Sequence, residues 1–208
     1  MSTKIKICGI TRVEDAVAAA DAGADFIGVN FWQGTPRCVD AATARNIADA
    51  VRGRVKVVAV FVDEKREKII EIAGRIHADY VQLHGAESAE FARSLAPLKI
   101  IKAFAVASEA DVEQMDRFPA DFYLVDAKGG AMPGGTGKRA DWPLARHARR
   151  FGRIFLAGGL MPDNVADAIA AVEPYAVDTA SGVESSPGIK DALRIRRFVE
   201  NAKGAAQG

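Results

Sequence analysis

The sequence has little of what marks several large classes of protein. It has two cysteines, Cys8 and Cys38, in 208 residues. Two cysteines are too few for a disulfide framework, so we expect free thiols. The three histidines, His77, His84 and His147, do not follow any Cys/His spacing of a zinc site. We therefore predict no metal.

Long apolar runs and an excess of one charge are also missing. The longest strongly apolar run, residues 57–62, is far shorter than the roughly 20 residues that cross a bilayer. The first residues lack the apolar core of a signal peptide. The 28 Lys and Arg against 27 Asp and Glu leave a net charge of +1, which is not typical of proteins that bind nucleic acid or anionic membranes. We expect a cytoplasmic protein, a monomer or homodimer, with neither of these partners.

The sequence does contain a regular alternation of apolar β-patterned runs with amphipathic helical stretches, eight of each. Such alternation predicts parallel strands joined by right-handed crossovers, and eight units favour a closed barrel over an open sheet. We predict an α/β protein, a single (β/α)₈ TIM barrel over residues 1–208. The predicted strands are 4–8, 25–31, 55–62, 79–83, 99–103, 121–126, 153–157 and 175–178. The predicted helices are 13–22, 41–51, 65–74, 88–96, 109–115, 142–150, 162–172 and 189–203.

Local junction signals support this count. The dipeptide Ala-Asp, followed by an aromatic residue, precedes three of the apolar runs, with the aspartate at positions 25, 79 and 121. Gly23 and Gly74 stand where helices would end in a left-handed cap.

Cys8 ends the first predicted strand, and Gly9 opens the turn that follows. Ligands bind and catalytic groups project at this end of parallel strands. Alternation places Lys6 and Cys8 on one face of the strand, and a positive charge on Lys6 would bring the pKa of Cys8 toward neutral pH. A free cysteine is more often a small buried hydrophobe, so residue type alone leaves both interpretations open.

Two glycine-containing loops follow the last two predicted strands. Gly158 and Gly159 come after the seventh strand, and Ser181 and Gly182 come after the eighth. Glycines let backbone N–H groups approach an anion closely, and these two loops are where barrels commonly bind phosphate. One Gly-Gly pair usually marks only a turn, whereas the two loops together indicate a phosphorylated ligand.

Three other side chains stand at strand ends or in the loops that follow them. Asp126 ends an apolar run, where partial burial would favour its protonated form and suit it to donate a proton; an exposed, loop-capping aspartate is the alternative. Arg37 can bind a carboxylate with two hydrogen bonds, or it is a solvated surface arginine. We interpret His84 as structural, held by a backbone partner near Gly85, with lining of a pocket as its alternative role.

An ordered set of short motifs spans nearly the whole chain. The motifs are KICGIT at 6–11, PR at 36–37, VQLHG at 81–85, VD at 125–126, GGTG at 134–137, LAGGL at 156–160 with Pro162 and NV at 164–165, Asp178 with SGVE at 181–184, and PG and KD at 187–188 and 190–191. This set resembles the phosphoribosylanthranilate isomerase family of tryptophan biosynthesis, whose members are (β/α)₈ enzymes.

The resemblance implies an Amadori rearrangement, an aldose-ketose isomerisation, without a cofactor. N-(5-phosphoribosyl)anthranilate would be converted to 1-(2-carboxyphenylamino)-1-deoxyribulose 5-phosphate. By the resemblance Asp126 is the general acid that opens the ribose ring, Cys8 is the general base that removes the C2 proton, and Arg37 binds the anthranilate carboxylate. The other substrate-binding residues that it implies are Gln82, His84, Gly135, Gly158, Gly159, Ser181 and Gly182.

Two other functions stay open. A histidine-pathway sugar isomerase, or a bifunctional barrel that catalyses both rearrangements, would resemble a twofold repeated barrel with an aspartate where this chain has Cys8. The second alternative is a catalytically silent barrel that binds phosphate, since a fold does not determine a function. The presence of both Cys8 and Asp126 argues against a silent barrel.

Overall fold

The computed structural model describes residues 3–127 and 140–205, and within them eight parallel strands close into a barrel. Each strand pairs with its successor, and the eighth pairs with the first. The predicted α/β barrel is confirmed. The strands are β1 Lys4–Ile7, β2 Phe26–Asn30, β3 Lys56–Phe61, β4 Tyr80–Leu83, β5 Ile100–Val106, β6 Phe122–Ala127, β7 Ile154–Leu156 and β8 Ala176–Thr179. The helices are α1 Val13–Ala22, α2 Ala41–Ala50, α3 Arg66–Ile76, α4 Ala89–Ser94, α5 Glu109–Glu113, α6 Trp142–Ala148, α7 Val165–Val172 and α8 Ala192–Gly204.

Alternation along the strands separates two apolar regions. Residues such as Ile5 and Ile7 face outward and pack with the helices in the larger core, while a smaller cluster fills the barrel interior. The amino-terminal end of that interior is filled by aromatic rings whose centroids lie 4.9 to 5.9 Å apart. These rings belong to Phe26, Tyr80, Phe122, Phe155 and Tyr175. The carboxyl-terminal end is thereby left as the end where polar side chains can meet.

The repeated Ala-Asp junctions have a structural role. In each, the aspartate carboxylate accepts a hydrogen bond from the backbone N–H of a residue at or near the start of the preceding strand. The distances are 3.0 Å from Ile5 to Asp25, 2.9 Å from Val57 to Asp79 and 2.7 Å from Ile100 to Asp121. The motif therefore ties neighbouring strands together at the amino-terminal end of the barrel.

One of the two predicted glycine caps differs from the sequence prediction. Gly23 is the left-handed cap of α1, with φ of 89°, as expected. Helix α3, however, continues through Gly74 to Ile76, and His77 adopts the left-handed cap with φ of 52°. The prediction for Gly74 was wrong because buried Ile76 extends the apolar stripe of the helix beyond the glycine.

Two helix starts also differ. Helix α7 begins at Val165, not at residue 162, because the Asn164 side chain bonds the N–H of Met161 and the carbonyl of Gly159 and holds the chain in a turn. Helix α8 begins at Ala192. The residues before it form an antiparallel hairpin of β9 Glu184–Ser186 and β10 Ile189–Lys190 that the sequence analysis did not predict.

Across the described ranges, the longest and most apolar helices still fall short of what a membrane-crossing segment requires.

We predict that Asp79→Ala lowers the free energy of unfolding by about 1–2 kcal/mol, because it leaves the half-buried N–H of Val57 without its acceptor. Urea denaturation measures the change. Asp163→Ala is the control, since that side chain is 80% exposed and pairs only loosely with Arg197; its effect should stay within about 0.5 kcal/mol. Equal effects of the two substitutions would contradict the role assigned to Asp79.

Candidate active site

A cleft lies at the carboxyl-terminal end of the barrel. Its volume is about 60 Å³. A larger cavity, about 540 Å³, lies at the opposite end, but its cations Lys4, Arg52, Arg54 and Lys56 are each paired with an aspartate. Chemistry rather than volume distinguishes the cleft, because a thiol, a carboxyl, an imidazole and a guanidinium meet there. Its lining residues are Cys8, Gly9, Asn30, Thr35, Arg37, Val60, Val62, His84, Asp126, Asp178 and Ala180.

Cys8 directly follows β1 and is partly exposed at the cleft. Its N–H donates to the carbonyl of Thr179 at 2.8 Å, which continues the pairing of β1 with β8. Glycine at position 28 of β2 makes room for the thiol, since a Cβ there would lie 2.7 Å from the Cys8 Sγ. The position of the sulfur therefore depends on both strands that flank β1.

A buried ion pair lies in the barrel near Cys8. Lys6 has no exposed surface, and its Nζ donates to Oδ1 of Asp178 at 2.8 Å. Burial alone would lower the pKa of Lys6, but the negative charges of Asp178 and Cys8 outweigh it and raise that pKa. Lys6 is therefore a permanent positive charge next to the thiol.

The charge of Lys6 lowers the pKa of Cys8, as expected, but burial of the thiol has the larger effect. Burial by the surrounding protein raises the pKa of the Cys8 thiol above its ordinary value. The charge of Lys6 acts in the opposite direction, while Asp178 adds to the increase. In the unliganded site the net direction is upward, which differs from the sequence expectation because alternation reveals a neighbouring charge but not the cost of burial.

Asp126 lies at the end of β6, with its side chain 14% exposed. Its Oδ2 is 3.7 Å from Nε2 of His84. The amide of fully buried Gln82 lies 2.7 Å from Nδ1 of the same ring. When Gln82 donates this bond, Nδ1 is the acceptor and the ring proton is on Nε2, facing Asp126.

His84 thus has a different partner from the one expected. Instead of a backbone group near Gly85, the side chain of Gln82 holds the ring. The alternative role, lining the pocket, is the one that the structure shows. Gln82 itself lies beneath the cleft and does not line it.

Arg37 lies at the edge of the cleft and is held by Glu184. Its Nε and Nη2 donate to the two carboxylate oxygens at 2.8 and 2.7 Å. Gly9 gives the arginine stem its space, since a Cβ at that position would lie 2.5 Å from the Arg37 Cδ. Arg37 is therefore not the solvated surface arginine of the alternative interpretation, because only 13% of its side chain is exposed.

The glycine-containing loops lie beside the cleft, after β7 and β8. Gly158 and Gly159 have φ of 84° and 63°, values that favour glycine. A Cβ on Gly182 would lie 2.0 Å from the carbonyl oxygen of Leu160, so the two loops are in close contact. Ser181 begins a short 3₁₀ turn in the second loop. Gly135 and the rest of its motif lie outside the described residues.

The sequence analysis gave no role to several residues of this site. Asp178, Glu184 and Lys190 belong to the motifs that carry the resemblance or stand beside them, yet their partners are distant in sequence. Two sequence signals could have identified part of this site. A Lys6 side chain that faces into a barrel needs a buried counter-charge. A glycine inside an apolar strand, at position 28, is likewise typical of a close approach.

The chain matches one known family over nearly its whole length. The model of a family described as N-(5'phosphoribosyl)anthranilate (PRA) isomerase matches residues 5–201. The chain belongs to this family. As a PRA isomerase family member it is an aldose-ketose isomerase of tryptophan biosynthesis.

Individual relatives agree with the PRA isomerase assignment. N-(5'-phosphoribosyl)anthranilate isomerase of Geotalea uraniireducens is 45% identical over 202 residues, which cover 97% of this chain and 99% of the relative. A crystal structure of monomers generated from the dimeric enzyme of Thermotoga maritima has a TM-score of 0.86 at 39% identity, covering 97% of this chain and 99% of that one. A phosphoribosyl anthranilate isomerase in complex with reduced 1-(o-carboxyphenylamino)-1-deoxyribulose 5-phosphate has a TM-score of 0.88 at 38% identity, with the same coverage.

We predict that Gly28→Ala lowers kcat of this PRA isomerase by about tenfold to 100-fold, because the new methyl group would displace the Cys8 sulfur. Steady-state kinetics measure the effect. Gly74→Ala is the matched control: a Cβ on this helical glycine meets nothing within 4 Å, and kcat should not change. An unchanged kcat in Gly28→Ala would show that the packing of β2 against Cys8 does not matter for the reaction.

Proposed function

We propose that Cys8 is the general base and Asp126 the general acid in the isomerisation of N-(5-phosphoribosyl)anthranilate to 1-(2-carboxyphenylamino)-1-deoxyribulose 5-phosphate. The observation that carries the proposal is that a thiol after β1 and a carboxyl at the end of β6 line one cleft. These strands lie on different sides of the barrel, so a sugar bound between them would have one group on each side.

The first step is ring opening. The carboxyl of Asp126 gives its proton to the ribose ring oxygen, the bond from that oxygen to C1 breaks, and the anthranilate nitrogen lone pair forms a C=N bond. The product is a protonated Schiff base. Nε2 of His84 lies 3.7 Å from the carboxylate. When Gln82 donates to Nδ1, Nε2 carries the ring proton and faces the negative charge that develops on Asp126 in this step.

The second step moves a proton off carbon. The thiolate of Cys8 takes the C2 proton, and the electrons of that C–H bond form a C1=C2 bond while the C=N bond returns its pair to nitrogen. The resulting enolamine then gives its hydroxyl proton to water and takes a proton from water at C1, which gives the ketone. Proton exchange with water returns Cys8 to the thiolate and Asp126 to the carboxyl. The positive charge of Lys6 stabilises the thiolate on which this step depends.

The remaining groups suit the two ends of the substrate. Arg37 would bind the anthranilate carboxylate, and the backbone of Gly158, Gly159, Ser181 and Gly182 would bind the phosphate. The relative that was crystallised with a reduced product analogue carries a ligand with both anionic ends. We infer that this chain takes the same class of phosphorylated ligand, with the reacting sugar carbons in the cleft between Cys8 and Asp126.

The first test uses the loss of anthranilate-type fluorescence as freshly made phosphoribosylanthranilate is consumed. Cys8→Ala and Asp126→Asn should each lower kcat by about 100-fold or more, because each removes one proton-transfer group. Binding of the reduced product analogue should change far less. A variant that keeps its kcat while folded would remove that residue from the mechanism, and a silent wild type that still binds the analogue would favour the non-catalytic barrel.

The second test is the pH dependence of the base. Burial raises the pKa of Cys8, so the rate at which iodoacetamide alkylates the Cys8 thiolate, measured in a Cys38→Ser background, should rise with pH through an alkaline range. Lys6→Met removes a charge that lowers this pKa and should move the rise to higher pH. Alkylation without substrate reports the thiolate alone, whereas kcat/KM depends on both proton-transfer groups.

Lys6→Met leaves the carboxylate of Asp178 without its partner, so Lys6→Met/Asp178→Asn serves as the companion variant. It should also titrate at higher pH than wild type, because Lys6 has a larger effect on the thiol than Asp178. A profile at unchanged or lower pH in both variants would contradict the assigned role of Lys6.

A further inference from the structure

The hairpin of β9 and β10 connects the loops that form the site. Glu184 of β9 holds the guanidinium of Arg37, which lies in the loop after β2. From β10, Lys190 donates through Nζ to the carbonyl of Ala180 at 3.0 Å, next to the proposed phosphate loop. Its backbone N–H donates to Asp15 of α1 at 3.1 Å. One hairpin therefore contacts the segments that follow β1, β2 and β8.

A buried cluster of three charges lies at the centre of these contacts. Glu184 Oε1 accepts from both Arg37 Nε and Lys190 Nζ, each at 2.8 Å. The side chains of Glu184 and Lys190 are 5% and 0% exposed. Burial would raise the pKa of Glu184, but the two cations outweigh it and lower that pKa, so the carboxylate stays ionised. Burial lowers the pKa of the Lys190 ammonium, and the negative charge of Glu184 opposes that shift.

The orientation of Arg37 determines what it can still bind. A guanidinium has five N–H groups, and Glu184 takes two of them along the edge formed by Nε and Nη2. The edge formed by Nη1 and Nη2 keeps its remaining N–H groups, which donate to no other described residue. This second edge has the geometry for a bidentate carboxylate. Glu184 thus fixes the arginine without occupying the edge that a ligand carboxylate needs.

We propose that Glu184 is a positioning residue for the isomerisation: it holds Arg37 in the orientation that selects a substrate carrying a carboxylate on its aromatic ring. The inference rests on the proposed role of Arg37. A long arginine side chain that is already ordered loses less conformational entropy when the ligand binds. The preference for a carboxylated ligand therefore depends on Glu184, although Glu184 itself does not touch the ligand.

The test compares two stable ligands, the reduced product analogue and the same compound without its carboxyl group. The carboxylate preference is the ratio of two dissociation constants measured by calorimetry: that of the compound without the carboxyl group divided by that of the reduced product analogue. Glu184→Gln should lower this ratio about three- to tenfold, because glutamine cannot accept both bonds from Arg37. KM should rise by a similar factor while kcat changes little. A purely structural role would weaken both ligands equally and leave the ratio unchanged.

Glu184→Gln leaves the ammonium of Lys190 buried without its counter-ion. Glu184→Gln/Lys190→Met removes both charges, and it should show the same loss of carboxylate preference. Glu87→Gln is the matched control, since Glu87 and Lys102 form a comparable buried pair at 2.7 Å, with side chains 3% and 5% exposed, that does not contact Arg37. Its ratio should equal that of wild type.

Arg37→Met separates the failure of this inference from the failure of the proposed function. If Arg37→Met leaves the ratio unchanged, Arg37 does not bind the carboxylate, and both its proposed role and the positioning role of Glu184 are overturned, while the roles of Cys8 and Asp126 depend on their own test. If Arg37→Met abolishes the preference but Glu184→Gln and the double variant keep it, only the positioning role of Glu184 is overturned. If Arg37→Met and Glu184→Gln each abolish the carboxylate preference, and Arg37→Met/Glu184→Gln shows no further loss, Arg37 and Glu184 act as one unit.

Discussion

The ion pair of Lys6 and Asp178 is the interaction on which both the barrel and its site depend. It joins directly paired residues of β1 and β8, where the barrel closes, at 2.8 Å. Removing two charges from water costs several kcal/mol for each ion, and only an intact pair offsets that cost. The first and last strands can therefore close in one register without leaving a charge unpaired. Because Cys8 stands two residues after Lys6, the same register fixes the electrostatic environment of the thiol.

The two ends of the barrel interior differ in composition: one is packed with apolar rings and the other carries the polar groups of the site. Aromatic rings fill the amino-terminal end, and aspartate side chains tie its strand starts together. Polar groups occupy the other end, where Gln82 is fully buried and holds His84 beside Asp126. The packed apolar end provides a rigid base on which the acid, the base and their partners keep their positions.

Glycines and a short hairpin bring the loops together above this base. The glycine at position 28 lets β2 approach Cys8, and Gly182 lets the loops after β7 and β8 touch. The hairpin then links the segment that carries Arg37 to the backbone at Ala180. Loops alone are the most mobile part of a barrel. Here a buried network of charges gives them a common orientation, so that the groups proposed for the two ends of the substrate are held in relation to each other.

The sequence by itself determined the alternation of strands and helices and the set of side chains at strand ends, because period and turn chemistry are local properties. The count of eight units favoured a closed barrel, and the structure shows the closure. The sequence also identified the family through its motifs. Only the tertiary structure decided which of those side chains meet. Arg37 and Glu184 are 147 positions apart, and Lys6 and Asp178 are 172 apart. No local pattern records such pairs, and none records the burial that reverses the expected pKa shift of Cys8, since both depend on which strands become neighbours when the barrel closes.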